Sequence, residues 1–206
     1  MRHYSYFPLM LMVPAITAQA QVSVSIGLPH LNIGINVATV PELVPVPDSP
    51  VYYAPGMNWN YFFYDGMYWV FKDDNWYASS WYNGPWAAVH PEAVPDFMLR
   101  VPVRYYRQPP SYFRGWQREA PPRWGDHWGS DWAQRRPGWD RGGQRPAPPP
   151  APLPTYQKNY RGAQYPPVER QHEIHTQNYP YHPQDRAVRE HYAVQEEHRR
   201  SGPEGR

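Results

Sequence analysis

The chain contains no cysteine in its 206 residues. This absence excludes disulfide bonds, thiolate metal sites, a cysteine nucleophile and the lipidated cysteine that begins a mature lipoprotein. Long hydrophobic runs are also missing, because no stretch approaches the roughly 18 consecutive apolar residues of a membrane-spanning helix. The sequence therefore predicts no transmembrane segment in the mature chain and a fold without covalent cross-links.

Aliphatic side chains are scarce after residue 100, whereas the whole chain carries 28 prolines and 14 glycines. Proline and glycine together make up about a fifth of the sequence, against about 12% in ordinary proteins. A segment so poor in Leu, Ile and Val buries too little apolar surface to offset the entropy lost on ordering it. The composition predicts one small domain with an aromatic core, followed by a long, largely disordered C-terminal tail.

Charge is unevenly distributed, although the net charge is only +2. From Asp48 to Leu99 there are six acidic residues and one basic residue, and from Arg100 to Arg145 there are ten arginines and four acidic residues. An acidic module followed by a basic arm indicates either an intramolecular contact or a polyanionic partner for the arm. A further interpretation is that these charges only keep an aromatic-rich protein soluble.

Residues 1–20 have the organisation of a signal peptide. A short positive region at Arg2 and His3 precedes an apolar run over Tyr6–Ile16, and Ala18-Gln-Ala20 is a small-x-small cleavage site. We expect cleavage near Ala20 and a periplasmic or secreted protein. The alternatives are an ordinary N-terminal strand or an anchor that is not cleaved.

After the predicted signal peptide, polar or small residues alternate with apolar ones, mostly β-branched. Residues 21–37 contain the runs QVSVSI and LNIGINV on either side of a Gly-Leu-Pro-His turn, which predicts a hairpin. The alternative is a flexible lead-in. Residues 38–51 form a proline-rich connection, in which Glu42–Pro47 could still lie as an edge strand because sheet edges tolerate proline.

The strongest strand pattern lies in residues 52–106. Asp65-Gly66 between two aromatic runs predicts a type I′ hairpin turn, and Asp73-Asp-Asn75 and Tyr82-Asn-Gly-Pro85 predict two further turns. Alternation assigns Met67, Trp69 and Phe71 to one face of a strand, with the residues between them on the other. We expect a mainly β fold, either a small antiparallel meander or an SH3-like barrel, with residues 99–106 as a last edge strand.

Two resemblances accompany this pattern. The order Trp76-Tyr, Gly84-Pro-Trp and Val94-Pro is similar to bacterial SH3-like domains over residues 76–95. The longer line YDGMYWV, NWYASSWYNGPW, LRVPVRYYR and PPRWGDHW resembles a group of uncharacterised exported proteobacterial proteins, rich in Tyr and Trp, over roughly residues 21–185. This second resemblance implies export and no assigned activity.

Three segments follow the module. Residues 107–145 are an arm in which glycine, tryptophan and arginine recur, and residues 146–155 form a polyproline spacer. Residues 156–206 are a polar, histidine-containing tail. One helix is predicted near residues 185–200, with Asp185 as its N-cap and Gly202 beyond its end.

Candidate binding residues are aromatic or basic. Interleaved Trp and Arg can stack on rings and pair with anionic groups of glycans, lipids or proteins. Export argues against nucleic acid, and an equally weighted alternative is that the arm packs onto the acidic module or stays disordered. The candidates at the third turn and in the arm are Trp81, Tyr82, Trp86, Trp116, Arg123, Trp124 and Trp128.

The tail histidines are weak candidates for a transition-metal site. They are His172, His175, His191 and His198. The HExxH spacing of zinc proteases is absent, and no rigid set of ligands is evident. Asp73-Asp74 is more typical of a turn than of an acid/base pair, and Ser79-Ser80 lacks a nucleophile-elbow setting. The sequence therefore predicts no enzyme activity and no cofactor.

These observations favour a non-enzymatic exported envelope protein. We expect it to bind or scaffold through the aromatic β module and the basic arm, with an anionic cell-envelope component or an envelope protein as partner. The alternative is weak transition-metal binding or a stress-related role through the histidine-containing tail.

Overall fold

A computed structural model describes residues 33–141 and 147–200, with side chains up to residue 193 in the last helix. Six antiparallel strands form one sheet in chain order, each paired with the next. They are β1 (Val44–Pro45), β2 (Tyr52–Tyr53), β3 (Asn60–Tyr64), β4 (Met67–Lys72), β5 (Asn75–Ser79) and β6 (Ala87–Val89). The predicted antiparallel meander is confirmed. The sheet is open, with β1 and β6 as its edges, so it is not a closed barrel.

Helical residues outnumber strand residues in the described part, so "mainly β" applies to the centre of the molecule only. The α-helices are α1 (Asp96–Leu99), α2 (Trp124–Trp128), α3 (Ser130–Arg135), α4 (Val168–Asn178) and α5 (Arg186–Arg200). Short 3-10 turns cover Pro91–Ala93, Val103–Tyr105, Ser111–Phe113, Thr155–Asn159 and Gly162–Gln164. The sequence predicted α5 but missed α4, because its polar residues carry little apolar periodicity.

The start of α5 follows the predicted capping pattern. The Asp185 carboxylate accepts a hydrogen bond from the backbone N–H of Ala187 at 2.8 Å, as an N-cap does. The helix is held to the β3–β4 turn by Asp65, whose carboxylate accepts from the backbone N–H of Asp185 at 2.7 Å and from the Tyr181 hydroxyl at 2.6 Å. A turn residue therefore positions a helix 120 residues away in the chain.

Two tight turns connect the central strands. Asp65 and Gly66 have φ values of 50° and 91°, and they join Tyr64 to its partner Met67, as a type I′ turn requires. At the second turn Asp73 and Asp74 both have positive φ, at 49° and 63°. Two consecutive non-glycine residues in this region are strained, because their Cβ atoms crowd the backbone.

Replacing Asp73 with glycine is expected to stabilise the protein by about 0.5 kcal/mol, because it relieves this strain while adding some unfolded-state entropy. The exposed Asp73 carboxylate pairs with the half-buried Lys72. The Asp74→Gly variant is the matched control: Asp74 accepts hydrogen bonds from Tyr112 and contacts His127, so we expect no gain there. Urea denaturation compares the two, and equal stabilisation by both would contradict the assigned role of Asp74.

The two faces of the sheet carry separate aromatic clusters, as the alternation predicted. The first face holds Phe62, Tyr64, Met67, Trp69, Phe71, Trp76 and Ala78. The second face holds Tyr61, Phe63, Tyr68 and Val70. All of these side chains are almost fully buried, so both faces of the sheet are covered by the rest of the chain.

The arm covers the first face. Trp124 is fully buried against Phe71 and Trp76, with ring centroids 5.3 and 6.2 Å apart, and Trp132 is buried in the same cluster. The prediction of a largely disordered C-terminal region therefore does not hold for the described residues of the arm. Large rings supply the apolar area that the missing aliphatic side chains would otherwise provide.

Basic residues of the arm also pair with the acidic module. Arg135 forms an ion pair with Glu92 at 2.5 Å, and Arg136 forms one with Asp96 at 2.5 Å. Arg136 also donates to the backbone carbonyl of Val94 at 2.8 Å. Of the three interpretations of the charge distribution, the intramolecular contact is present for these residues.

The second face is covered by segments from both ends of the described chain. Ile35, Val37, Ala151 and Tyr179 are buried against it. The predicted signal peptide and residues 21–32 of the predicted hairpin lie outside the described residues, and residues 33–37 pack here without forming a strand. The proline-rich connection does supply edge strand β1, whereas residues 99–106 form the end of α1 and a 3-10 turn instead of a last strand.

Candidate functional site

The Trp81–Trp86 corner, predicted as a binding surface, is buried. Trp81, Tyr82 and Trp86 are 0%, 1% and 2% exposed. Three tyrosines of the following chain surround the Trp81 indole edge-on, with ring centroids 5.5–5.7 Å away: Tyr156, Tyr160 and Tyr165. The corner is therefore filled by the protein's own tail.

Hydrogen bonds attach the tail to this corner. The fully buried side-chain amide of Gln157 accepts from the backbone N–H of Tyr82 at 3.2 Å and donates to the carbonyl of Ser80 at 2.8 Å. The Tyr82 hydroxyl donates to the carbonyl of Tyr160 at 2.6 Å, and the Trp81 indole donates to the carbonyl of Gln171 at 3.1 Å. These bonds satisfy polar groups that the third turn would otherwise leave unpaired.

The candidates in the arm occupy three different environments. Trp124 is a core residue, and Trp128 stacks on it with centroids 4.4 Å apart. Arg123 is exposed and pairs with Asp126 at 2.7 Å. Trp116 is half-buried and lines a groove on the protein surface. Of these arm candidates, Trp116 is the one that lines the groove.

This groove, which we term the arginine groove, has a volume of about 560 Å³. Volumes of about 300–1,000 Å³ are usual for clefts that bind small molecules. Its walls are held together by backbone hydrogen bonds from Arg104 to the carbonyl of Arg118 at 2.9 Å and from Val103 to that of Ala120 at 3.0 Å. The basic and aromatic residues that line it are Arg104, Tyr106, Phe113, Arg114, Trp116 and Arg118.

Two of the three lining arginines are available to a ligand. Arg104 pairs with Glu119 and also donates to the Tyr105 hydroxyl at 2.6 Å. The side chains of Arg114 and Arg118 are exposed, and neither has an ion-pair partner within the residues that the structure describes. The groove therefore presents two uncompensated guanidinium groups.

Aromatic side chains form the rest of the lining. Phe113 stacks on Trp116 with centroids 4.6 Å apart and an interplanar angle of 27°. Gly115 has a φ of 84°, a value that favours glycine, and it lines the groove together with its neighbours Arg114 and Trp116. Tyr106 is buried, and its hydroxyl has no hydrogen-bond partner in the described part of the chain; burial raises the pKa of this hydroxyl, which keeps it protonated and able to donate.

Sequence reasoning selected Trp116 but missed Arg104, Arg114 and Arg118. The signal available was the density of arginine, because four of the ten arginines between residues 100 and 145 fall within residues 104–118. Spacing alone did not distinguish these arginines from Arg135 and Arg136, which pair with the acidic module. Only the tertiary structure separates the paired arginines from the unpaired ones.

The histidines predicted as metal candidates are dispersed. His175 is buried in α4, and its ring nitrogens lie 2.7 Å from the Tyr156 hydroxyl and 3.4 Å from that of Tyr192. His191 is buried in α5 beside Trp69, with ring centroids 5.4 Å apart. His172 lies on the exposed side of α4, near the Thr176 hydroxyl at 3.3 Å, and the side chain of His198 lies outside the described residues.

No group of three His, Asp or Glu side chains suited to a metal ion occurs in the described residues. Burial lowers the pKa of both His175 and His191 to about 4, and the charge of His172 adds to the effect at His175. Both imidazoles are therefore neutral at pH 7. The predicted Asp73-Asp74 turn is confirmed, and Ser79 is buried, with its hydroxyl accepting from the backbone N–H of Trp81 at 3.0 Å.

Within residues 33–141 and 147–200, no helix has the length and apolar character to cross a membrane. Comparisons of the chain with protein-family models, with curated proteins and with solved structures gave no match.

Proposed function

We propose that this is a non-enzymatic exported envelope protein that binds an anionic envelope component in the arginine groove. The observation that carries this proposal is the pair of unpartnered guanidinium groups of Arg114 and Arg118 beside the half-buried ring of Trp116. Guanidinium groups match phosphate and carboxylate groups in geometry and charge. The signal-peptide pattern of residues 1–20 and the resemblance to exported proteobacterial proteins support the cellular location.

The distribution of ion pairs supports the choice of this groove. Arg135 and Arg136 are compensated by Glu92 and Asp96, and these ion pairs hold the arm on the module. Arg100 pairs with Asp96 within the module itself. The arginines around the groove have fewer acidic neighbours, since Glu119 is the ion-pair partner of Arg104 alone. The groove therefore brings together two arm arginines that have no ion-pair partner in the described residues, and their charge favours encounter with a polyanion.

The polar groups considered for catalysis or for metal binding make contacts within the protein, which supports a binding role. Ser79 is hydrogen-bonded within the core, Asp74 holds Tyr112 and His127, and His175 lies between tyrosine hydroxyls. Each of these groups is engaged in a hydrogen bond within the protein. A binding or scaffolding function is consistent with side chains used in this way.

Binding to a defined polyanion tests the proposal. We expect full-length protein to bind immobilised dextran sulfate but not neutral dextran, and we expect about 1 M salt to release it, because the Debye length falls to about 3 Å there. The Arg114→Gln/Arg118→Gln double variant should lose most of this binding. Surface plasmon resonance at low and high salt measures both effects.

Arg141→Gln is the matched control, because Arg141 is an exposed arm arginine that does not line the groove. It should bind dextran sulfate as the unaltered protein does. Equal binding by the double variant and the unaltered protein would contradict the proposal, and so would binding that does not respond to salt. Retention of a purified envelope fraction by the same variants then tests the natural component.

A further inference from the structure

We infer that the groove recognises a sugar ring that carries a phosphate or carboxylate, with Trp116 as the stacking platform and Arg114 and Arg118 as the anion-binding pair. This inference rests on the proposed function and adds the chemical class of the ligand. A pyranose ring presents C–H groups on its faces and polar groups around its edge. The groove provides surfaces of both kinds close together.

The aromatic part of the groove is built to hold a ring. Phe113 occupies one face of the Trp116 indole at 4.6 Å, and Tyr112 meets the indole edge-on, with centroids 5.7 Å apart. These contacts fix the orientation of an indole that remains partly exposed. A fixed and partly exposed aromatic ring lowers the entropy cost of stacking a ligand on it.

The polar part of the groove is built to hold an anion. Arg114 and Arg118 follow each other by four residues on either side of Trp116, and both line the groove with it. Each guanidinium group offers planar, paired N–H donors, which suit the oxygens of a phosphate or carboxylate. Because the arginines that would bind the anion lie on either side of the tryptophan that would stack on the ring, we expect the anion and the ring to belong to the same small molecule.

The described surface does not favour insertion into a lipid layer. Val168 is the one large hydrophobic residue that is clearly exposed within the described ranges, at 40%, and it belongs to α4 and not to the groove. Interfacial membrane binding relies on an exposed apolar face that enters the acyl region. A soluble head group or an envelope saccharide therefore fits the groove better than a bilayer surface.

Small ligands that carry a phosphate, a sugar ring or both test the anion-binding pair and the stacking platform separately. We would titrate full-length protein with inorganic phosphate, glycerol 3-phosphate, glucose and glucose 6-phosphate, following the Trp116 indole N–H signal by NMR, assigned with a Trp116→Leu variant. Glucose 6-phosphate should bind about tenfold more tightly than inorganic phosphate or glycerol 3-phosphate, in line with the effect of stacking on an aromatic ring. Glucose should bind more weakly than glucose 6-phosphate because it lacks the anion.

Two variants should change the affinities for these ligands in different ways. Trp116→Leu should reduce the preference for glucose 6-phosphate over glycerol 3-phosphate to about twofold or less, whereas Arg114→Gln/Arg118→Gln should abolish binding of all three phosphates. Binding followed by calorimetry or by fluorescence makes the comparison in the Trp116→Leu protein. Arg141→Gln should leave both the affinities and the preference unchanged.

The outcomes distinguish this inference from the proposed function. Equal affinity for all three phosphates, with loss in the double arginine variant, would overturn the sugar assignment and leave the anion site in place. If the double arginine variant keeps its full affinity for the phosphates, both the sugar assignment and the proposed function are overturned. Tighter binding of uridine monophosphate than of glucose 6-phosphate would replace the sugar with a nucleobase as the stacked ring. Binding only to vesicles that contain an anionic phospholipid would assign the site to a lipid surface.

Discussion

Replacing Trp124 with alanine is expected to lower the free energy of unfolding by about 3–5 kcal/mol, the range typical of removing a large aromatic side chain from a core. Trp124 is fully buried, and its indole N–H donates to the carbonyl of Leu99 at 3.0 Å. The substitution would leave a cavity beside Phe71 and Trp76 and an unpaired carbonyl at the end of α1. Urea denaturation of full-length protein, followed by tryptophan fluorescence, measures the change.

Trp116→Ala is the control for this prediction. Both tryptophans belong to the arm, but Trp116 is half-buried in the groove, so its loss should cost about 1 kcal/mol or less. A large difference between the two variants would show that the arm is part of the folded core through Trp124, whereas Trp116 contributes little to stability. Two equally small effects would contradict the docking of the arm.

Acidification between pH 6.5 and pH 4 is expected to destabilise the protein through His175 and His191. Burial lowers the pKa of both imidazoles to about 4 in the folded state, whereas the unfolded value is about 6.5. The unfolded chain therefore binds more protons over this interval, so stability is fully present above pH 6.5 and falls as the pH decreases. Each histidine contributes up to about 3 kcal/mol to this loss.

The groups around each imidazole explain why its pKa is lowered. Tyr156, Tyr179 and Tyr192 pack around His175, and no carboxylate is among its described contacts. His191 faces Trp69 and the backbone carbonyl of Ala93, and this carbonyl and Glu190 oppose the effect of burial on its pKa without reversing it.

The carboxyl group of Asp185 opposes the loss of stability that the two histidines cause on acidification. Burial raises the pKa of its carboxyl group, so the folded state takes up this proton more readily than the unfolded state as the pH falls. The net loss of stability should therefore be smaller than the sum of the two histidine contributions.

The first segments to detach from the rest of the fold on acidification should be α4 and α5, because they carry the two histidines.

Urea denaturation at pH 7.5, 5.5 and 4.5 tests the acid effect. The His175→Gln/His191→Gln variant should show a much smaller decrease in stability over this range, whatever its stability at pH 7.5. The exposed His182 provides the control, because His182→Gln should preserve the full decrease. An unchanged pH dependence in the double variant would contradict the assignment of the effect to these two residues.

Local patterns predicted the centre of the sheet well. Asp65-Gly66 adopts the backbone that a two-residue hairpin turn needs, and alternating residues of β4 lie on opposite faces. These features depend on neighbouring residues and on the two-residue period of a strand, which are visible in any single sequence. The Asp185 cap of α5 belongs to the same class, since a cap acts within one helical turn.

Long-range packing was harder to predict. The composition of residues 107–193 indicated disorder because it is poor in aliphatic side chains, but Trp124, Trp132 and Tyr179 are buried in the described structure. A count of aliphatic residues underestimates how much area a few indole and phenol rings can bury. No local pattern indicates that Gln157 would satisfy the backbone of the third turn from 75 residues away.

The sequence by itself determined the aromatic hairpins, which of their residues share a face and the separation of acidic and basic segments, because each follows from residue type and short-range spacing. Only the tertiary structure decided which rings are buried and which arginines remain unpaired. It covers the Trp81–Trp86 corner with tyrosines of the tail and leaves Trp116 at the surface beside Arg114 and Arg118. The physical reason is that exposure and ion pairing depend on which distant segments come together to bury the two faces of one sheet.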